Sequence, residues 1–245
     1  MSTISRREAI ALLAALAVPR SLSAGTPGPG RLTARPGTPT TPLGPGRYAV
    51  PIFGLDVRLM VPPLYKVGSP APLMLMLHGA GDSADHGMQL VREAAAARGM
   101  LVLAPTSVEG TWDGVRGELG ADVATIDRAL DWTFARFSID PEQLVVAGFS
   151  DGASYALTMG LINGDLFRRI IAFSPGYFLP RERHGKPRVY ISHGTRDRVL
   201  SIGQTPRRVV RELESKDYDV LFREFDGPHT VPAEVLAEAM EWLDA

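Results

Sequence analysis

The chain has 245 residues, 45% of them hydrophobic and 22% charged, a formal net charge of −1 and no cysteine. The composition is that of an ordinary globular protein. The absent cysteines exclude disulfides, iron–sulfur clusters, cysteine-built zinc sites and a thiol nucleophile. The near-neutral charge argues against a general nucleic-acid binder, which should be strongly basic.

Residues 1–24 read as an export signal. Ser5-Arg6-Arg7 precedes a ten-residue apolar run, Ala9 to Val18, and the small-residue stretch Ser21-Leu22-Ser23-Ala24 follows. A basic start, a short apolar core and a small-residue end make a secretory leader. The run is too short for a membrane span, which needs ~20 residues, so no stable membrane anchor is expected after cleavage. The paired arginines resemble a twin-arginine signal, with periplasmic or extracellular delivery. Residues 25–46 hold six glycines and six prolines in 22 positions and predict an extended linker. The folded domain is then 47–245, with 21 basic and 26 acidic residues and a net charge of −5.

Within the domain, Tyr48–Val61 predicts a strand pair at a sheet edge. Leu73–Leu77 and Met100–Ala104 predict buried strands with a helix between them, about Ala84 to Arg98. A Gly-rich loop, Thr106–Gly120, leads to a helix over Asp122–Phe137. There Val123, Ile126, Leu130, Phe134 and Phe137 share one face. Leu144–Phe149, Ile170–Phe173, Arg188–Ser192 and Val220–Phe225 predict further strands. Gly152–Ile162, Pro206–Leu213 and Pro232–Leu243 predict helices. Strands alternating with helices imply an α/β fold, with a mostly parallel central sheet and helices on both faces.

Such sheets place ligands beyond the C-terminal ends of their strands. Gly148-Phe149-Ser150-Asp151-Gly152 falls between a strand and a helix. A serine there sits on a sharp turn with its hydroxyl above the sheet, so Ser150 is the candidate nucleophile. His229 follows the last strand and is the candidate base. His78 and His193, each ending a strand before a glycine, read as structural; His86 and His184 read as solvated. Asp197 is the carboxylate within reach of the Arg188–Ser192 strand and the candidate acid. The main-chain N–H groups of Asp151 and of Ala80, in the loop His78-Gly79-Ala80-Gly81, are the candidate oxyanion donors. The Asp151 carboxylate reads as a first-turn acid favoured by the helix dipole, or as a discriminator against anionic substrates. Thr111-Trp112-Asp113 and Pro175-Gly176-Tyr177-Phe178 are candidate cleft walls, with Trp112, Tyr177 and Phe178 as substrate contacts. Only 14 residues separate Phe173 from Arg188, too few for a helical lid, which predicts an open cleft suited to short or soluble substrates.

These motifs together resemble the phospholipase/carboxylesterase family of α/β-hydrolases. The chain is also similar to exported esterases and polyhydroxybutyrate-depolymerase-like proteins. The resemblance covers roughly 48–245. It implies a carboxylic-ester hydrolase with a Ser-His-Asp triad, no cofactor and a small-molecule ester as substrate. Asp151 stands where the carboxylesterase branch commonly has glutamine, and Pro228 precedes the histidine. Peptidase or thioesterase chemistry on the same fold is the alternative, and a non-catalytic binding module another. A dinucleotide-dependent oxidoreductase fits Gly79-Ala80-Gly81-Asp82-Ser83-Ala84 only loosely. The following strand ends in Ala104-Pro105-Thr106-Ser107 without the acid that a ribose needs. No metal-ligand pattern is evident.

Overall fold

A computed structural model describes residues 28–244, apart from 53, 177–179, 181 and 204. Residues 1–27, which hold the expected export signal, and Tyr177 and Phe178 lie outside the described residues.

Eight strands form one sheet in the order β1-β2-β4-β3-β5-β6-β7-β8. The antiparallel edge is β1 (Gly46–Ala49) and β2 (Val57–Val61), and β2 also runs antiparallel to β4 (Leu101–Pro105). All other pairs are parallel: β3 (Ala71–Leu77), β5 (Ile139–Phe149), β6 (Arg169–Phe173), β7 (Arg188–Gly194) and β8 (Val220–Phe225). Leu73–Leu77 is wholly inaccessible, as a continuous apolar run in a sheet covered on both faces requires.

Helices α1 (Ala84–Ala97) and α5 (Ala233–Trp242) cover one face, packing on Met60, Met74, Met76, Val102 and Tyr190. Helices α2 (Ala121–Phe134), α3 (Asp151–Ile162) and α4 (Pro206–Glu214) cover the other. The stripe read from α2 is buried: Val123, Ile126, Leu130 and Phe134 lie under the sheet, with Phe137 just beyond the helix. Between β6 and β7 the described residues form no helix.

The described part of the 25–46 segment departs from the linker expectation. Leu32 and Ala34 are buried in the core on the α2–α3 face. Asp127 of α2 accepts the Thr33 and Ala34 N–H groups at 2.7 and 2.8 Å and the Thr33 hydroxyl at 2.6 Å. Asn163 accepts the Leu32 N–H at 2.9 Å, and Arg31 pairs with Asp165 at 2.7 Å. An extended Pro-rich chain has no internal hydrogen bonds. Here side chains of the domain supply them, so the segment is a strap rather than a spacer.

Candidate active site

The site is built where β5 turns into α3. Ser150 has φ 56° and ψ −120°, a backbone state that L-residues avoid. The glycines on either side are demanded by space. A Cβ on Gly148 would lie 2.2 Å from the Gly152 carbonyl oxygen, and one on Gly152 would lie 2.3 Å from that of Leu77. The turn is pinned by the Ser150 N–H, which donates to Phe173 O at 2.9 Å.

The Ser150 hydroxyl oxygen is 2.8 Å from His229 Nε2, and His229 Nδ1 is 2.6 Å from Asp197 Oδ2. The three candidates read from separate strand ends therefore meet in one hydrogen-bonded chain. The Asp197 side chain has no accessible surface. Its other oxygen, Oδ1, accepts the Val199 and Leu200 N–H groups, both at 2.8 Å. Burial by itself raises a carboxyl pKa. The bonds from Leu200, His229 and Val199 outweigh it and hold Asp197 below the ordinary carboxylate range. Arg196, next to Asp197 in the sequence, pairs with Asp226.

The two candidate oxyanion donors come from two different segments. Ala80 lies in the loop after β3, and Asp151 opens α3 at the positive end of the helix dipole. In that loop the Gly81 N–H goes to Gly110 O at 2.7 Å and the Asp82 N–H to Gly79 O at 3.2 Å. No described acceptor takes the N–H of Ala80 or of Asp151. The Asp151 carboxylate accepts the Thr111 hydroxyl at 2.6 Å, which ties the opening of α3 to the Gly-rich loop.

Trp112 corrects the sequence expectation. It is fully buried and cannot line a cleft. Its indole N–H donates to the His78 carbonyl at 2.9 Å, and its ring stacks on Tyr155 at 5.2 Å. The phenol of Tyr155 donates to Asp113 at 2.7 Å. Asp113 and Asp122 then accept main-chain N–H groups across the loop, from Gly120 and Asp122 and from Val108 and Asp113. Burial raises the Asp122 pKa against those bonds. Trp112 thus buttresses the loop after β3 from behind.

His78 is structural, as read. Its Nδ1–H donates to Gly79 O at 2.7 Å and its Nε2 accepts the Ser107 N–H at 3.0 Å. Burial lowers its pKa and keeps it neutral. Exposed His86 and half-exposed His184 each pair with a nearby acid, Asp82 and Glu182. His193, structural by the same sequence signature, reaches the site: its Nε2 is 3.1 Å from Asp197 Oδ2.

A cavity of about 380 Å³ opens beside the loop after β3, lined by Met76, Gly79, Asp82, His86, Leu90 and Phe149 among others. The Phe149 ring also packs on His229, with centroids 4.9 Å apart. A second cavity of about 430 Å³, at the β1–β2 edge among Arg47, Arg58, Met60 and Arg92, contains none of the three chain members. Among the described residues no group of His, Asp and Glu gathers in a way that could hold a metal.

A mostly parallel sheet with this elbow and these strand-end residues defines the class: the chain is an α/β-hydrolase. It belongs to the Esterase family, whose model matches residues 54–183. That span includes Ala80 and Ser150 and stops before Asp197 and His229, which geometry alone adds. No curated protein matches the chain in sequence. Among solved structures it is similar to esterase PE8 at 23% identity and TM-score 0.63, over 78% of this chain and 98% of that one. It is similar to a Bacillus cereus carboxylesterase at 17% identity and TM-score 0.59, over 78% and 94%. A phospholipase/carboxylesterase from Dyadobacter fermentans shares 21% identity and a TM-score of 0.59, over 81% and 100%. At these identities the likeness is one of fold.

Proposed function

We propose that the chain hydrolyses carboxylic esters through an acyl-enzyme on Ser150. The observation that carries this reading is the chain of short hydrogen bonds from Ser150 through His229 to the buried Asp197 side chain. His229 takes the hydroxyl proton as Ser150 attacks the ester carbonyl. The developing oxyanion is received by the N–H groups of Ala80 and Asp151, for which no described group is an acceptor. His229 then protonates the leaving alcohol. Water repeats the sequence on the acyl-enzyme and frees the acid. Asp197 fixes the imidazole tautomer with its proton on Nδ1 and stabilises the imidazolium.

The substrate is a short or soluble ester, with one arm in the cavity between Leu90, Met76 and Phe149. The connection between β6 and β7 is too short to add a hydrophobic cover for a long lipid chain. Export by the twin-arginine-like leader belongs to the same reading and puts the substrate outside the cytoplasm. The test is Ser150→Ala together with a fluorophosphonate probe. The wild-type chain labels at Ser150 and hydrolyses nitrophenyl acetate. The variant does neither, while its circular dichroism spectrum is unchanged. A variant that kept full activity would end this reading.

A further inference from the structure

Asp197 is held by more than its partner in the triad. His193, at the end of β7, has a side chain with no accessible surface. Its Nε2 lies 2.8 Å from the Leu200 carbonyl oxygen and 3.1 Å from Asp197 Oδ2. Two oxygens this close to one ring nitrogen fix the tautomer: a lone pair there would repel both, so Nε2 carries the proton. The other nitrogen, Nδ1, is then a buried lone pair, and no described group donates to it.

That bare nitrogen is informative. A buried polar atom without a partner is a standing cost, which an apolar side chain of the same size would avoid. The cost is tolerable where the other nitrogen does something that no apolar residue can. Here it closes a circuit. The His193 Nε2–H donates to Leu200 O, and the Leu200 N–H donates to Asp197 Oδ1. The opposite oxygen, Oδ2, then receives His229 Nδ1. The ring stays neutral in this setting. Burial lowers its pKa, and Glu224, its neighbour on β8, is already held by Arg207 at 2.6 and 2.8 Å. Asp197 therefore keeps its negative charge for His229.

We propose that His193 is a positioning residue, whose Nε2–H holds the Asp197–Leu200 turn so that Asp197 stays seated on His229. This rests on the reading of Ser150, His229 and Asp197 as the triad. The experiment compares His193→Phe, which fills the space without a donor, with His193→Gln, whose amide nitrogen can take the place of Nε2. Each is made alone and in combination with Asp197→Asn. His193→Phe lowers kcat about ten- to a hundredfold, the range expected for a slightly misplaced catalytic group, while KM moves less than about twofold. His193→Gln recovers most of the loss. In the Asp197→Asn background, His193→Phe adds less than about a twofold further effect, because a residue that acts through the carboxylate is not additive with its removal.

A folded His193→Phe protein with wild-type kcat, or with the same fold loss in both backgrounds, overturns the proposal. Should His193→Phe not fold, nitrogen-15 histidine spectra of the wild-type chain decide. A neutral His193 with its proton on Nε2 supports the proposal, and a proton on Nδ1 or a charged ring at neutral pH overturns it. Failure of the triad itself shows differently, as absent fluorophosphonate labelling of the wild-type Ser150.

Discussion

Gly152→Ala tests how the elbow and the oxyanion loop are coupled. The new methyl carbon would sit 2.3 Å from the Leu77 carbonyl oxygen and 2.4 Å from that of His78. Ordinary contact begins near 3.4 Å, so α3 and the end of β3 must separate by about 1 Å. Both atoms it meets are backbone, and no rotamer change can relieve them. The end of β3 leads directly into Gly79 and Ala80, while Gly152 directly follows Asp151. The separation therefore opens the gap between the two N–H donors proposed for the oxyanion. A misplacement of ~1 Å can cost ~10²-fold, and loss of one oxyanion donor costs ~10²–10³ in turnover. Overpacking of this kind destabilises by about 1–3 kcal/mol. For a domain of this size each kcal/mol lowers Tm by about 2–4 °C. The assays are nitrophenyl acetate kinetics and thermal melting. Gly37→Ala is the control, because a Cβ there meets nothing within 4 Å. A Gly152→Ala protein within about threefold of wild-type kcat, with unchanged Tm, would refute the coupling, since the expected loss is about a hundredfold.

Three further outcomes can be checked by kinetics or melting. Trp112→Phe keeps a ring against Tyr155 but removes the donor to His78 O. It should lower Tm by about 2–8 °C and reduce kcat more than it raises KM, whereas a substrate-lining tryptophan would show mainly in KM for aryl esters. Leu90→Trp should fill the cavity beside Phe149. It should lower kcat/KM for nitrophenyl butyrate and longer esters about tenfold relative to acetate, and an equal effect on all chain lengths would place the substrate elsewhere. The strap should be sensitive to acid. The hydrogen bond from Arg31 draws the Asp165 pKa from 3.8 to about 2. A depressed carboxylate contributes stability above its unfolded pKa and loses it as pH falls through the folded one. The ion-pair part of the melting deficit of Arg31→Met should therefore be full above pH 4 and fade toward pH 2. A deficit constant across that window would mean that the ion pair contributes nothing.

The elements were legible because their signals are local. Leu73–Leu77 is apolar without interruption and lies in the middle of the sheet. The stripe of α2 repeats at helical spacing and faces the core. The three candidates for the triad were legible for a related reason. Each stands at the end of a strand, and a parallel sheet brings all its strand ends to one side. Sheet order then does what separation along the chain hides, placing β5, β7 and β8 so that Ser150, Asp197 and His229 converge.

What was not legible depends on partners far away in sequence. Trp112 sits in a Gly-rich loop, and its neighbourhood in sequence looks exposed. It is buried because His78 O and Tyr155 wait for it from β3's end and from α3. The strap has the composition of a linker, yet its N–H groups meet Asp127, 93 and 94 positions on, and Asn163, 131 positions on. Gly/Pro-rich sequence reports only that a segment cannot satisfy itself; whether the domain satisfies it is written in other residues. The same logic separates the histidines. His78 and His193 have the same local signature, a strand end followed by glycine. One binds its two neighbouring loops with both ring nitrogens. The other leaves a nitrogen bare and spends its single N–H on the turn that seats Asp197. Nothing within a few residues of either distinguishes them. The difference is made by the Asp197–Leu200 turn, which folds back onto the end of β7, so a role in the site can belong to a histidine whose own sequence context says only that it is buried.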